Sequence, residues 1–259
     1  MIIDANAHPT VDGKWLHTQY DASVDTLLRS LDSAGIDKAV LVPLAGVISN
    51  NSIQEMCARH SDRFIPAVSF NPAAHISYEN VQEAFRKEFN ESTVSVLKLH
   101  NRLHGYDLGD ERLFATLQAN EERGRPFVIF ICGLTCSKKI QVSQLPPLAL
   151  HRLVTQFSKT NFVIMHGGGA WVLQMYETIR DCPNAYLDLS YVQSAYQGSS
   201  VTQDLSYLCQ RFDQRLIWGS DFPEISPKDA MDHFLSLSRG LSEEKRHNIL
   251  GLNLHRLLS

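Results

Sequence analysis

The chain has 259 residues, of which 44% are hydrophobic and 20% are charged, and its formal net charge is −4 at pH 7. This length suits one (β/α)8 barrel with a large core, and the weak negative charge argues against nucleic acid as the main partner. No apolar stretch approaches the roughly 20 residues of a membrane helix, so a membrane partner is not expected either.

Short apolar, β-branched runs recur along the chain at intervals that leave room for a helix between them. Their continuous apolarity is typical of strands that are buried on both faces of a parallel sheet. We predict eight such strands, at residues 2–5, 39–44, 64–70, 94–99, 127–132, 162–165, 185–189 and 216–218.

Helix-like segments separate these runs, with apolar residues three and four positions apart. Asp110 and Ser226 are residue types that begin helices, and Gly35 and Gly124 are of the type that ends them. A last helix is predicted over residues 242–258.

Eight successive βα units predict an α/β fold, a single (β/α)8 TIM-type barrel in one domain over residues 1–259. A doubly wound open sheet is the structural alternative. That fold commonly carries a glycine-rich phosphate-binding turn after its first strand, whereas this chain reads Asp4-Ala5-Asn6-Ala7-His8 there. The closed barrel is therefore favoured.

The five cysteines and the N-terminus bear on the compartment. An odd number of cysteines is less typical of a disulfide framework, and Met1-Ile2-Ile3-Asp4 lacks the basic and apolar regions of a signal peptide. Both features favour the reducing cytoplasm. Cys132 and Cys136 are four positions apart, but no second close Cys or His pair completes a zinc site, so buried thiols are expected.

Polar side chains follow most of the predicted strands. In a (β/α)8 barrel the carboxyl ends of all strands meet at one rim, where catalytic groups lie. The polar residues at these ends are Asn6, His8, Asn71, Lys98, His100, Asn101, Arg102, His104, His166, Ser190, Tyr191, Ser220 and Asp221. Each histidine alone is more often a structural residue, but their shared position predicts a functional cluster.

Three stretches resemble the amidohydrolase-related family of hydrolases and decarboxylases (the amidohydrolase 2 type). Residues 3–8 resemble the family's Asp-x-His-x-His, residues 165–169 its strand-six histidine with glycines, and residues 218–223 its Gly-Ser-Asp-Tyr/Phe-Pro. The resemblance spans essentially the whole chain. It implies that His8 and Asp221 are ligands of one divalent metal, zinc or manganese, and that His166 handles the catalytic water or a substrate proton.

The chain departs from the family pattern at two places. Asn6 stands where the first histidine of His-x-His is expected, and an amide oxygen is a poorer zinc ligand than imidazole, so Asn6 is at most a weak third ligand. Strand five has Phe130 or Ile131 where the family usually has a histidine, and an apolar side chain does not ligate. His100 is a candidate replacement ligand.

Some members of the family work without metal, notably lactonases acting on cyclic dicarboxylates. By that resemblance Asp221 is the general base, helped by His166 or His8. Lys98, Arg102 or His100 then binds a substrate carboxylate or stabilises an oxyanion, and Tyr191 lines the pocket.

The sequence thus predicts a hydrolase of a small carboxylated or cyclic metabolite, such as an ester, lactone or amide. A decarboxylase of the same family is one alternative. A barrel that has lost catalysis and binds a metabolite or protein is another, motivated by the missing ligands. The oligomeric state stays open, with pairing through exposed helices one option.

Overall fold

The computed structural model describes residues 1–134 and 137–259. Eight parallel strands pair in sequential order from the first to the last. They are β1 (Ile3–Ala7), β2 (Lys38–Leu41), β3 (Phe64–Ser69), β4 (Val96–Leu99), β5 (Val128–Cys132), β6 (Phe162–Met165), β7 (Ala185–Asp188) and β8 (Leu216–Ile217). This order confirms the predicted (β/α)8 barrel and excludes the doubly wound sheet, whose strand order reverses at a switch point.

Backbone contacts between β8 and β1 bring the two ends of the sheet together. The Ala5 amide donates to the Trp218 carbonyl at 3.2 Å. Beyond the strands, Ala7 forms a parallel bridge with Phe222, and the His8 amide donates to the Phe222 carbonyl at 2.8 Å. These bonds place the segment after β8 beside the end of β1.

Helices lie between the strands and after the last one. They are α1 (Val24–Ser33), α2 (Asn50–Arg59), α3 (Tyr78–Phe89), α4 (Asn101–His104), α5 (Glu111–Glu121), α6 (Pro146–Gln156), α7 (Val172–Ile179), α8 (Val192–Ala195), α9 (Ser200–Arg211), α10 (Pro227–Leu237), α11 (Glu243–His247) and α12 (Asn253–Leu258). As predicted, Asp110 caps α5 by accepting from the Arg112 amide, and Ser226 caps α10 by accepting from the Asp229 amide. The predicted last helix is α11 and α12, joined by the π-helical turn Asn248–Leu252.

Alternation along the strands divides the core into an inner and an outer layer. Val96, Phe130 and Val163 belong to the cluster inside the barrel, while the residues between them pack outward against the helices. Lys98 and Cys132 follow Val96 and Phe130 by two positions, so they lie on the same inward faces of β4 and β5. The interior therefore changes from apolar to polar toward the carboxyl ends of the strands.

Four cysteines of the described part of the chain, Cys57, Cys132, Cys182 and Cys209, are free and buried. Cys136 lies outside the described residues. Within the described ranges, every helix is too short or too polar to cross a bilayer.

Candidate active site at the carboxyl end of the barrel

A pocket of about 300 Å³ opens at the carboxyl ends of the strands. The sequence analysis assigned a catalytic, substrate-binding or metal-ligand role to eight residues, and all of them except Asn6 line this pocket. Those residues are His8, Lys98, His100, Arg102, His166, Tyr191 and Asp221. Asn6 is fully buried beside the pocket and contacts Asp221.

Asp221 is held at the pocket by both its backbone and its side chain. Its φ of 77° lies in the left-handed region, where a non-glycine residue is strained, and its amide donates to the Asn6 carbonyl at 2.9 Å. Burial raises the pKa of the carboxyl, but the field of His166, the hydrogen bond with His8 and the nearby Lys98 together outweigh burial, so the pKa lies below the ordinary 3.8. Asp221 is therefore a carboxylate at neutral pH.

Asn6 serves this carboxylate as a hydrogen-bond donor. Its Nδ2 lies 2.6 Å from Asp221 Oδ1 and 3.3 Å from Ser190 Oγ. The amide nitrogen must face Asp221, because two oxygens at that distance would repel each other. Asn6 Oδ1 is buried without a hydrogen bond.

This arrangement does not fit the metal that the family resemblance implied. The side chain expected as a third ligand presents an N–H group to Asp221, and an amide N–H does not ligate a cation. Within residues 1–134 and 137–259, no group of three or more His, Cys, Asp or Glu side chains has a metal-holding arrangement. The groups around Asp221 therefore suit a carboxylate that accepts hydrogen bonds and do not form a metal-ligand set.

His8 stands on the other side of the Asp221 carboxylate. Its Nδ1 lies 2.7 Å from the Val42 carbonyl, which accepts only and so places a proton on Nδ1. Its Nε2 lies 3.5 Å from Asp221 Oδ1. The ring stacks on Trp15, with centroids 5.7 Å apart, and the Trp15 indole donates to Glu224 at 3.2 Å. His8 is thereby held in the plane that directs Nε2 to the carboxylate.

His166 directly follows β6 and has an unusual backbone. Its φ is 61°, and Gly167, Gly168 and Gly169 after it also have positive φ values. Gly168 has a φ of 81°, a left-handed conformation that is strained for a residue with a Cβ atom, so this turn needs glycine for its conformation.

The imidazole of His166 is neutral. Burial lowers its pKa to about 4. Its Nδ1 lies 3.1 Å from the Ser190 carbonyl, which again places the proton on Nδ1 and leaves Nε2 as the acceptor. The ring meets Tyr191 edge to face at 5.8 Å. A histidine in this state accepts a proton or a hydrogen bond through Nε2.

Two cations of the pocket have no anionic partner in the described chain. Lys98 is 1% exposed, and neither Lys98 nor Arg102 forms an ion pair with a described residue. Burial lowers the pKa of Lys98, opposed by Cys132, Asp221 and Asp188. Buried cations are normally paired, so an unpaired one beside a pocket marks a place for an anionic ligand.

His100 adds a neutral donor to this side. Burial, and after it the charge of Lys98, keeps the pKa of His100 well below 6.5. The Leu103 amide donates weakly to His100 Nδ1 at 3.4 Å, so the ring proton resides on Nε2.

Sequence reasoning missed much of the pocket wall and the support beneath the site. The additional lining residues are Trp15, Leu16, Leu44, Leu103, Cys132, Leu134 and Glu224. Asp188 was also missed: it lies behind His166 together with Ser190, which the sequence had placed among the polar strand ends. The signal for Asp188 was its position two residues before Ser190, at the end of an apolar strand. His104 and Asn101 follow a strand but do not line the pocket.

A model of the family described as "Amidohydrolase" matches residues 3–259. The chain belongs to the amidohydrolase family. A search of the curated proteins found no sequence match.

Solved structures with the same fold cover nearly the whole chain. An uncharacterised TIM-barrel protein from Bordetella bronchiseptica has a TM-score of 0.81 at 19% identity, over 99% of this chain and 98% of that one. A probable 2-pyrone-4,6-dicarboxylic acid hydrolase from Acinetobacter baumannii, crystallised with citric acid, has a TM-score of 0.63 at 18% identity, over 99% of this chain and 98% of that one. A 5-carboxyvanillate decarboxylase mutant from Novosphingobium aromaticivorans, with bound manganese, has a TM-score of 0.68 at 12% identity, over 100% of this chain and 97% of that one. At these identities the likeness establishes the fold alone, and these neighbours carry out different reactions on it: one is described as a hydrolase and another as a decarboxylase.

Proposed function

We propose that this chain is a metal-independent hydrolase of a small carboxylated lactone or ester. The observation that carries the proposal is the Asp221 carboxylate, held by the Asn6 amide in the same pocket as the unpaired cations Lys98 and Arg102. The pocket thus contains a general base on one side and an anion-binding group on the other.

The cations set the class of substrate. A carboxylate that enters the pocket pairs with the Lys98 ammonium or the Arg102 guanidinium through charge-assisted hydrogen bonds. A volume of about 300 Å³ is at the small end for ligand pockets, which favours a compact metabolite. The hydrolase from Acinetobacter baumannii, with its dicarboxylic substrate and bound citric acid, agrees with such a ligand.

Hydrolysis needs a base for water and a donor for the oxyanion. Asp221 takes one proton from water as the water oxygen attacks the carbonyl carbon, and His100 Nε2–H donates to the oxyanion. The carbonyl–oxygen bond of the ester then breaks, and the leaving oxygen takes the proton from Asp221. The new carboxylic acid loses the second proton of the water to His166 Nε2 and then to solvent.

Metal independence is directly measurable. We expect protein purified without chelator or added metal to contain well below one equivalent of zinc or manganese, since the described donor set does not form a ligand group. Elemental analysis measures this, with a His8→Ala/Asp221→Ala variant as the matched control. Turnover of a lactone panel is expected to survive prolonged treatment with EDTA.

One equivalent of metal that is lost in the double variant, together with loss of turnover in EDTA, would contradict metal independence. Carbon dioxide released from an aromatic carboxylate, with no lactone hydrolysed, would favour the decarboxylase, as the manganese-bound relative suggests. No turnover of either substrate class would favour the non-catalytic binding protein.

A further inference from the structure

Two buried polar side chains at the end of β7 stand behind His166. Asp188 and Ser190 are both fully buried and do not line the pocket. Asp188 Oδ1 accepts from the His166 backbone amide at 2.9 Å and also from the Ser190 hydroxyl. Ser190 Oγ in turn lies 3.2 Å from His166 Nδ1. The serine therefore connects the carboxylate to the imidazole.

The direction of these bonds follows from counting protons. A serine hydroxyl has one proton and two lone pairs. This proton is donated to Asp188, because an ionised carboxylate has no proton of its own and can only accept. The lone pairs are then available to His166 Nδ1–H and to Asn6 Nδ2, which lies 3.3 Å away. The Ser190 carbonyl also accepts from His166 Nδ1.

We propose that Ser190 and Asp188 are positioning residues for His166, through a chain that runs from the carboxylate over the serine hydroxyl to Nδ1–H. This rests on the proposed function, in which His166 Nε2 takes a proton. When it does so, the ring carries a proton on both nitrogens, and the Asp188 charge stabilises the imidazolium through the polarised hydroxyl. No proton moves to Asp188.

The chain also reaches the base of the reaction. Asn6 donates both to Asp221 and to Ser190 Oγ, so one hydroxyl is a common neighbour of the amide that holds Asp221 and of the imidazole of His166. Both proton-handling groups are thereby oriented by a layer of side chains that the substrate does not touch.

Asp188→Asn tests the charge at constant size. Asn retains an Oδ1 acceptor for the His166 amide and the Ser190 hydroxyl, and its other group replaces Asp188 Oδ2, which is buried without a partner. We expect kcat to fall about tenfold or more with KM changed less than about twofold, since the loss arises in proton transfer. Ser190→Ala should act similarly. The double variant should be no worse than the poorer single variant, because both interrupt one chain.

A spectroscopic readout is independent of turnover. In protein with ¹⁵N-labelled histidine, His166 should show a neutral ring protonated at Nδ1, assigned through the signal that disappears in His166→Asn. Its Nδ1 proton should move upfield in Asp188→Asn and in Ser190→Ala. His151 is the internal control, because its Nδ1 bonds the Thr178 carbonyl at 2.6 Å on the outside of the barrel and should not change.

The outcomes separate this proposal from the proposed function. The expected ring signals without turnover of any substrate would leave the hydrogen-bond chain standing and sink the hydrolase assignment. The hydrogen-bond chain would be contradicted if the His166 ring of the wild type were protonated at Nε2. It would also be contradicted if Asp188→Asn and Ser190→Ala both turned over substrate with kcat and the Nδ1 signal unchanged. Should Asp188→Asn fail to fold, Ser190→Ala decides between these outcomes by the same measurements.

Discussion

Asp221→Asn is expected to reduce kcat by about 10²- to 10⁴-fold, the usual contribution of a general base. Asn has nearly the same size and retains an oxygen for the Asn6 amide, which lies 2.6 Å from Oδ1 in the wild type. The variant should therefore fold, yet it has no lone pair basic enough to take a proton from water. Steady-state kinetics on the best lactone of the panel, with a thermal melt of the same preparation, measures both expectations.

Asp181→Asn is the matched control for this substitution. It makes the same chemical change at a side chain that is 94% exposed on the barrel surface, where kinetics should stay at the wild-type level. Should Asp221→Asn retain more than a tenth of the wild-type kcat, Asp221 would not be the base. His166 Nε2 would then be the group to examine.

Lys98→Met is expected to lower kcat/KM by about 10- to 100-fold, chiefly through a higher KM. This corresponds to the roughly 1.5–3 kcal/mol that a hydrogen bond to a charged group contributes. Met fills a similar volume but offers the substrate carboxylate neither charge nor donor. Kinetics with a carboxylated lactone, compared with its uncharged methyl ester, measures the effect, and only the carboxylated substrate should lose affinity.

The same variant should gain stability. Lys98 is 1% exposed and has no ion pair within the described chain, so burying its charge opposes folding. Each kcal/mol recovered should raise the melting temperature by roughly 2–4 °C. A loss of both stability and kcat/KM for the two substrates alike would mean that Lys98 supports the fold and does not bind the carboxylate.

The pH dependence gives a second test of Lys98. Burial lowers its pKa below the ordinary 10.5, so the ammonium is present at low pH and is lost as pH rises through the lowered value. We expect kcat/KM for the carboxylated substrate to decline on the alkaline side below pH 10.5. In Lys98→Arg, whose guanidinium stays protonated, this decline should disappear, even if the level of activity is lower. An unchanged alkaline limb in Lys98→Arg would assign it to another group.

Much of the site was predictable from the sequence because the fold itself is encoded locally. Each strand appears as a continuous apolar run, and the carboxyl ends of parallel strands in a barrel must meet at one rim. His8, Lys98, His166 and Asp221 could therefore be placed in one pocket although they are far apart in the chain. The family resemblance added the expected chemistry of those positions.

The boundaries of β1 show where local pattern was insufficient. The strand was predicted to end at residue 5, but it continues through Asn6 to Ala7. A polar residue interrupts an apolar run, and from sequence this signals the end of a strand. In the barrel Asn6 is instead buried, because Asp221 and Ser190 provide partners for its amide.

The sequence by itself determined the barrel, the family and the set of residues at the rim, because strand periodicity and short motifs depend on neighbours in the chain. Only the tertiary structure decided what the departure from the family pattern at Asn6 means. Asn6 contacts Ser190 and Asp221, which are 184 and 215 positions away in the chain. Because of these contacts, the residue that replaces an expected ligand is a hydrogen-bond donor that orients the Asp221 carboxylate. The Asp188–Ser190–His166 chain has the same origin, since the direction of a hydrogen bond depends on which acceptor the folded chain brings within reach.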